Sequence, residues 1–302
     1  MTVTAAPRAD EPPVRLGVAF VPTQPPETLR TLATTAEAAG LDELWVWEDC
    51  FKQSGVASAS AALAWTERIR VGIGLLPAPL RSTAITAMEL ATLARLFPGR
   101  FVPAVGHGVQ EWMAQAGVRA DSPLTLLREH TEALHSLLAG EEVTTSGRYV
   151  RLDGVRLEWP APDVPIVMGG VGPRSLALAG ELGDALILAN ALTPDDVRAA
   201  AETAAAGAQR SGWPAPPVYA TLIAATGPDA QARLDAELPL WGAATGQGIG
   251  AAGDARAVAD GVLRLAAAGA TSVTIQPLAD EPDLEGFVHM LGREVRPLLA
   301  DG

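Results

Sequence analysis

"RIRVGIGLLPAPLRSTAITAMELATLARLFPGRFVPAV", residues 68–105, holds a whole unit of the fold in one stretch. It opens on the apolar run "RIRVGIGLL" (68–76), which has no strict alternation and so predicts a strand buried on both faces. An Ala- and Leu-rich segment over 82–97 then predicts a helix, and "RFVPAV" (100–105) predicts the next strand. Strand, helix, strand is the parallel unit of an α/β protein.

The same alternation extends in both directions. Further strands are expected at 16–21, 41–47, 164–170, 184–190, 217–226 and 271–277, with helices between them. Eight such units at this length predict a (β/α)8 TIM barrel. One segment, "EEVTTSGRYVRLDGVRLEW" (141–159), breaks the pattern. Its Ser146-Gly147 and Asp153-Gly154 pairs read as turns, so a small β-hairpin is expected before strand five. Residues 14–302 are read as one barrel domain behind a disordered leader at 1–13, where Pro and acids replace any apolar signal segment.

Bulk properties exclude several functions. A net charge of −13 without clustered Lys or Arg argues against nucleic acid. A single cysteine excludes an intramolecular disulfide and a multi-cysteine metal site. No apolar run approaches the ~18 residues a membrane helix needs. The default expectation is a soluble cytoplasmic protein.

A barrel carries its chemistry at the C-terminal ends of its strands. In this sequence those ends hold Pro22-Thr23-Gln24, Glu48-Asp49-Cys50, Leu75-Leu76-Pro77, Gly106-His107-Gly108-Val109-Gln110-Glu111, Gly169-Gly170-Val171-Gly172, Asn190, Thr226 and Gln276. Metal-dependent barrel hydrolases need several His and Asp ligands there, and this mouth is too poor in them, so no metal is expected. Glycines, amides and apolar residues instead suit a planar organic cofactor that brings its own chemistry. "VMGGVGPRSLALAGELGDA" (167–185) empties a strand into a glycine loop with Pro173 opening a helix. It reads as a phosphate site on Gly169, Gly170, Val171, Gly172, Pro173 and Arg174, or as an ordinary well-capped loop. His107, between two glycines, reads as facing the mouth or as a cap. "GIGAAG" (248–253) fits a dinucleotide fingerprint, but no strand is expected before it, and it reads as a flexible approach to the next helix. His130, His135 and His289 fall within helices and read as structural.

The stretches "LWVWEDCF" (44–51), "RIRVGIGLLPAPLRSTAITAMELATLARLFPGRFVPAVGHGVQEWM" (68–113), "GGVGPRSLALAGELGDALIL" (169–188) and "GDARAVADGVLRLAAAGATSVTIQP" (253–277) together resemble the luciferase-like monooxygenase superfamily. Within it they resemble the actinobacterial branch that uses the deazaflavin coenzyme F420, similar to methylenetetrahydromethanopterin reductase. The likeness covers about residues 14–300, and Arg81 followed by "FPGRF" is its most specific part. It implies a ring lying against strand three at Ile73, Gly74 and Leu75, with a non-proline cis bond at Gly74–Leu75. It further implies ring contacts from Asp49, Gly106, His107 and Gly108, a phosphate on the Gly169–Arg174 loop, and a homodimer.

Two departures stand out. Cys50 replaces the family's usual histidine, and Val109 stands where sugar-phosphate members carry an acid; both argue against sugar-phosphate oxidation. Asp49, His107 and Cys50 are the catalytic-site candidates, with His107 a possible replacement proton carrier and Cys50 a cavity-wall residue. The expected activity is F420-dependent hydride transfer to or from a small organic molecule. An FMN-dependent monooxygenase and a non-catalytic flavin-binding barrel are the alternatives.

Overall fold

The computed structural model describes residues 14–189, 191–243 and 247–300, so the expected leader at 1–13 and Asn190 lie outside the described residues. Its strands are β1 (Arg15–Phe20), β2 (Glu43–Val46), β3 (Arg70–Pro77), β4 (Phe101–Gly106), β5 (Val143–Ser146), β6 (Arg151–Val155), β7 (Val167–Gly170), β8 (Ala185–Leu188), β9 (Val218–Thr226), β10 (Gly250–Gly253) and β11 (Ser272–Pro277). Parallel pairing runs β9-β11-β1-β2-β3-β4-β7-β8, and β8 pairs again with β9. Eight strands therefore close into a (β/α)8 barrel with helices between them. The expected hairpin is present as antiparallel β5 and β6, ahead of the fifth barrel strand.

Two details differ from the sequence reading. "GIGAAG" is no flexible approach, because Gly250–Gly253 forms β10, parallel to β9 from Gly250↔Ile223 to Gly253↔Thr226. β8 pairs with β9 only at Val218 and Tyr219, and β10 takes up the same edge further along. Pairing those backbone groups outweighs the low strand propensity of glycine. Asp153-Gly154 is likewise no turn. Between Val143↔Val155 and Thr145↔Leu152, β6 carries one residue more than β5, and Gly154 has a φ of 62°. This is a β-bulge, tied by the Gly154 N–H donating to Thr144 Oγ1 at 2.9 Å.

Strand alternation sorts side chains into two populations. Leu16, Val18, Phe20, Leu44, Val46, Val71, Ile73, Val273 and Ile275 face the helices and build the main core. Trp45, Val102, Ala104, Val167, Ala185 and Tyr219 face inward and fill the lumen. At its N-terminal end the lumen is sealed by Glu43, 1% exposed. Glu43 accepts from Trp45 Nε1 and Ser272 Oγ, both at 2.9 Å, and pairs with Arg70 at 2.8 Å. A buried carboxylate survives there because every listener around it is a donor.

Candidate active site

Around Trp45, glycines on the barrel strands make room for larger inward side chains. A Cβ on Gly72 would come within 2.4 Å of the Trp45 ring, and one on Gly74 within 2.9 Å of Ile187 Cδ1. Between Ile73↔Pro103 and Leu76↔Val105, β3 carries one extra residue, and the Gly74–Leu75 peptide in this bulge is cis. The bulge turns Leu75 inward as well. A Cβ on Gly106 would meet Leu75 Cδ2 at 2.7 Å, and one on Gly169 would meet it at 2.3 Å. These two glycines, expected as cofactor contacts, thus first make room for Leu75. Ile73 differs more plainly from expectation: its side chain is fully buried on the outer face, against the helix Gly55–Trp65. The result is an apolar floor of Trp45, Leu75 and Ile187.

After β2 the chain delivers its two acids to different fates. Glu48 is buried, takes a two-pronged hydrogen bond from Arg81, and accepts the Gly55 N–H at 2.8 Å at the start of the next helix. Arg81 also reaches Glu89, 3.1 Å away. Glu48 is therefore a structural brace that positions the loop. Asp49 is half-buried and makes no side-chain hydrogen bond to any described residue. Burial raises its carboxyl above the usual range, opposed by Lys52. Cys50 is partly exposed, and burial followed by the charges of Glu48 and Asp49 pushes its thiol up. That disfavours the thiolate a nucleophile needs. The Cys50–Phe51 peptide is a second cis bond, which nothing in the sequence signalled.

The β4 loop holds His107 half-buried, with Nδ1 2.9 Å from the Gly108 carbonyl. A carbonyl only accepts, so Nδ1 carries a proton, and Nε2 is the nitrogen left to meet other groups. Gln110 Nε2 donates to the carbonyls of His107 and Gly108, holding the loop. Gly108, with φ of 69°, lies against Pro77 and Met113. Val109 is an exposed aliphatic residue.

The β7 loop leads into the helix Pro173–Leu182, whose N-cap is Gly172. No side chain caps this end, so the N–H groups of Arg174 and Ser175 face outward at the positive end of the helix. Val171, Gly172, Pro173 and Arg174 are exposed, and a Cβ on Gly172 would touch nothing within 4 Å. Gly170 is small for another reason, since a Cβ there would lie 2.5 Å from that of Ser175.

Beyond β2, Trp47 packs edge-to-face on Trp241, with centroids 5.8 Å apart. Trp65 instead lies under Arg30 at the end of its own helix, and Met113 is fully buried. Trp241 was not foreseen, because "LPLWGAATGQ" gives no sign that it folds back over the mouth. Among the described residues no three His, Cys, Asp or Glu side chains gather to share an ion.

Residues 6–274 match the profile of the family described as luciferase-like monooxygenase. The chain belongs to that family. Within this luciferase-like family it is 36% identical over 197 residues to a 5,10-methylenetetrahydromethanopterin reductase of Methanolobus tindarius, covering 65% of this chain and 60% of the relative. It is 31% identical over 198 residues to an F420-dependent glucose-6-phosphate dehydrogenase of Nakamurella multipartita, covering 61% and 58%. The chain thus matches about three fifths of the length of these relatives. Its fold superposes on the coenzyme F420 dependent tetrahydromethanopterin reductase of Methanopyrus kandleri with a TM-score of 0.80 at 24% identity, covering 94% of this chain and 99% of that one.

Proposed function

We propose that this luciferase-like barrel is an F420-dependent oxidoreductase acting on a small organic molecule. The observation that carries the reading is the apolar surface of Leu75 and Ile187, only partly buried over the inward cluster of Trp45 beside the β3 bulge at Gly74. A flat ring suits such an apolar lining, and the reading is supported by the F420-dependent dehydrogenase relative and by the coenzyme F420 dependent reductase on which the fold superposes. Bound there, the deazaflavin supplies or accepts a hydride.

The protein's own work is to hold and to move protons. Leu75 and Ile187, backed by Trp45, would support the ring from below, and the Trp47–Trp241 pair would flank it at the mouth. The unpaired Arg174 and Ser175 N–H groups, with the open side of Gly172, would hold a phosphate of the cofactor tail. His107 Nε2 is placed to take or give a proton, and Asp49 holds one further up the pH scale than an exposed acid would. The aliphatic, exposed Val109 offers a sugar phosphate nothing to bind, so the substrate class is read as less polar than that.

The test is titration of the purified protein with F420 and with FMN, following fluorescence and absorbance. Saturable binding of F420, and bleaching of its oxidised band by a reducing substrate, is the expected result. Tight FMN binding with indifference to F420 would overturn the reading. A homodimer in the cytoplasm belongs to the same proposal, and light scattering on the purified protein checks the first part.

A further inference from the structure

Gln276 ends the lumen-facing row of β11. Ser272 in that row reaches Glu43 inside the barrel, and Thr274 Oγ1 lies 3.5 Å from where a Gly17 Cβ would sit, beside Glu43. Val273 and Ile275, between them, belong to the outer core. Alternation therefore turns Gln276 inward, one pleat above Thr274 and paired in register with Ile223 of β9. The residue is 2% exposed, and its Nε2 is buried without a hydrogen-bond partner among the described residues. Its surroundings include Ile223 and Leu278, both buried and apolar.

A buried amide donor without an acceptor is costly, and native proteins rarely keep one without a reason. Two other side-chain donors near the mouth are already engaged. Arg81 is tied to Glu48 and Glu89, and Gln110 Nε2 to two backbone carbonyls. We propose that Gln276 is a cofactor-positioning residue, its side-chain amide donating a hydrogen bond to a carbonyl oxygen on the edge of the ring bound in the barrel mouth. This rests on the F420 reading above. The pyrimidinedione edge shared by deazaflavins and flavins presents carbonyl acceptors of that kind. The ligand then completes a hydrogen bond the protein alone leaves open, which accounts for an amide set among Ile223 and Leu278.

The test uses Gln276→Leu and Gln276→Glu in the full chain, with F420 and FMN as probes. In Gln276→Leu the melting temperature of the ligand-free protein should stay level or rise, because the unpaired donor is gone. Its F420 dissociation constant should increase about tenfold, the equivalent of one lost hydrogen bond. Gln276→Glu keeps the shape but replaces donors by acceptors, and should weaken F420 at least as much at neutral pH. Unchanged F420 affinity in both variants would overturn the proposal. So would a ligand-free melting temperature several degrees lower in Gln276→Leu, the mark of a merely structural amide. Should Gln276→Leu not fold, that too counts as the structural result, and Gln276→Glu still reads binding. Wild-type protein that binds neither F420 nor FMN would instead remove the F420 reading, and this inference with it.

Discussion

At the scale of single residues, the two adjacent acids after β2 show how little spacing says about role. Glu48 and Asp49 are neighbours in sequence, yet one is locked to Arg81 and a helix start while the other stays unpaired. That Glu48 would meet Arg81, 33 positions away, is a property of the closed barrel and not of local pattern. Replacing Glu48 by Ala leaves a largely buried guanidinium with Glu89 alone and frees the Gly55 N–H. We expect a loss of about 3 kcal/mol, measured by urea unfolding. His107 stands out in the sequence between two glycines, but only the carbonyl of Gly108 shows which ring nitrogen carries a proton. His107→Ala should lower turnover and remove one limb of the pH–rate profile, whereas an unchanged profile would deny it a proton-transfer role.

At the scale of elements, the barrel strands were readable because each is an apolar run buried on both faces, while β10 was not. Its Gly-Ala-Ala-Gly has no strand-forming side chain, and only the free edge of β9 makes it a strand. The helix pair Pro173–Leu182 and Pro194–Arg210 carries a similar hidden instruction. A Cβ on Gly180 would lie 1.8 Å from the Ala204 carbonyl oxygen, and one on Gly207 would lie 2.2 Å from that of Ala177. The two backbones touch through a reciprocal pair of glycines. Gly180→Ala must force them apart, at a cost of about 2 kcal/mol or more, read as a lower melting temperature. Because Gly172 caps the same helix, the variant should also weaken whatever the loop binds; phosphate or F420 titration tests this.

At the scale of the whole molecule, the response to acid has an identifiable source. His130 is buried between the helices Thr83–Leu96 and Pro123–Leu138, with Nδ1 3.0 Å from Thr83 Oγ1. Burial lowers its pKa from 6.5 to about 4. Between those values the unfolded chain takes up a proton that the folded one refuses. The His130 contribution to stability is therefore full above about pH 6.5 and lost as pH falls through about 4, up to roughly 3 kcal/mol in all. His130→Leu should flatten that part of the stability curve in denaturant titrations across pH 4 to 6.5. The barrel itself was legible from eight repeated units, but its closure, and the meeting of Glu43 with Ser272 across 229 positions, was not.

The Glu43–Arg70–Ser272 plug also has a kinetic corollary. A vessel stoppered at its base is loaded and emptied through one opening, so whatever rests deepest is first in and last out. If the ring lies on Trp45 and Leu75, it must arrive ahead of the substrate, and product must depart ahead of the spent ring. Product-inhibition patterns should then show compulsory order with the deazaflavin leading; a random order would demand a second way in.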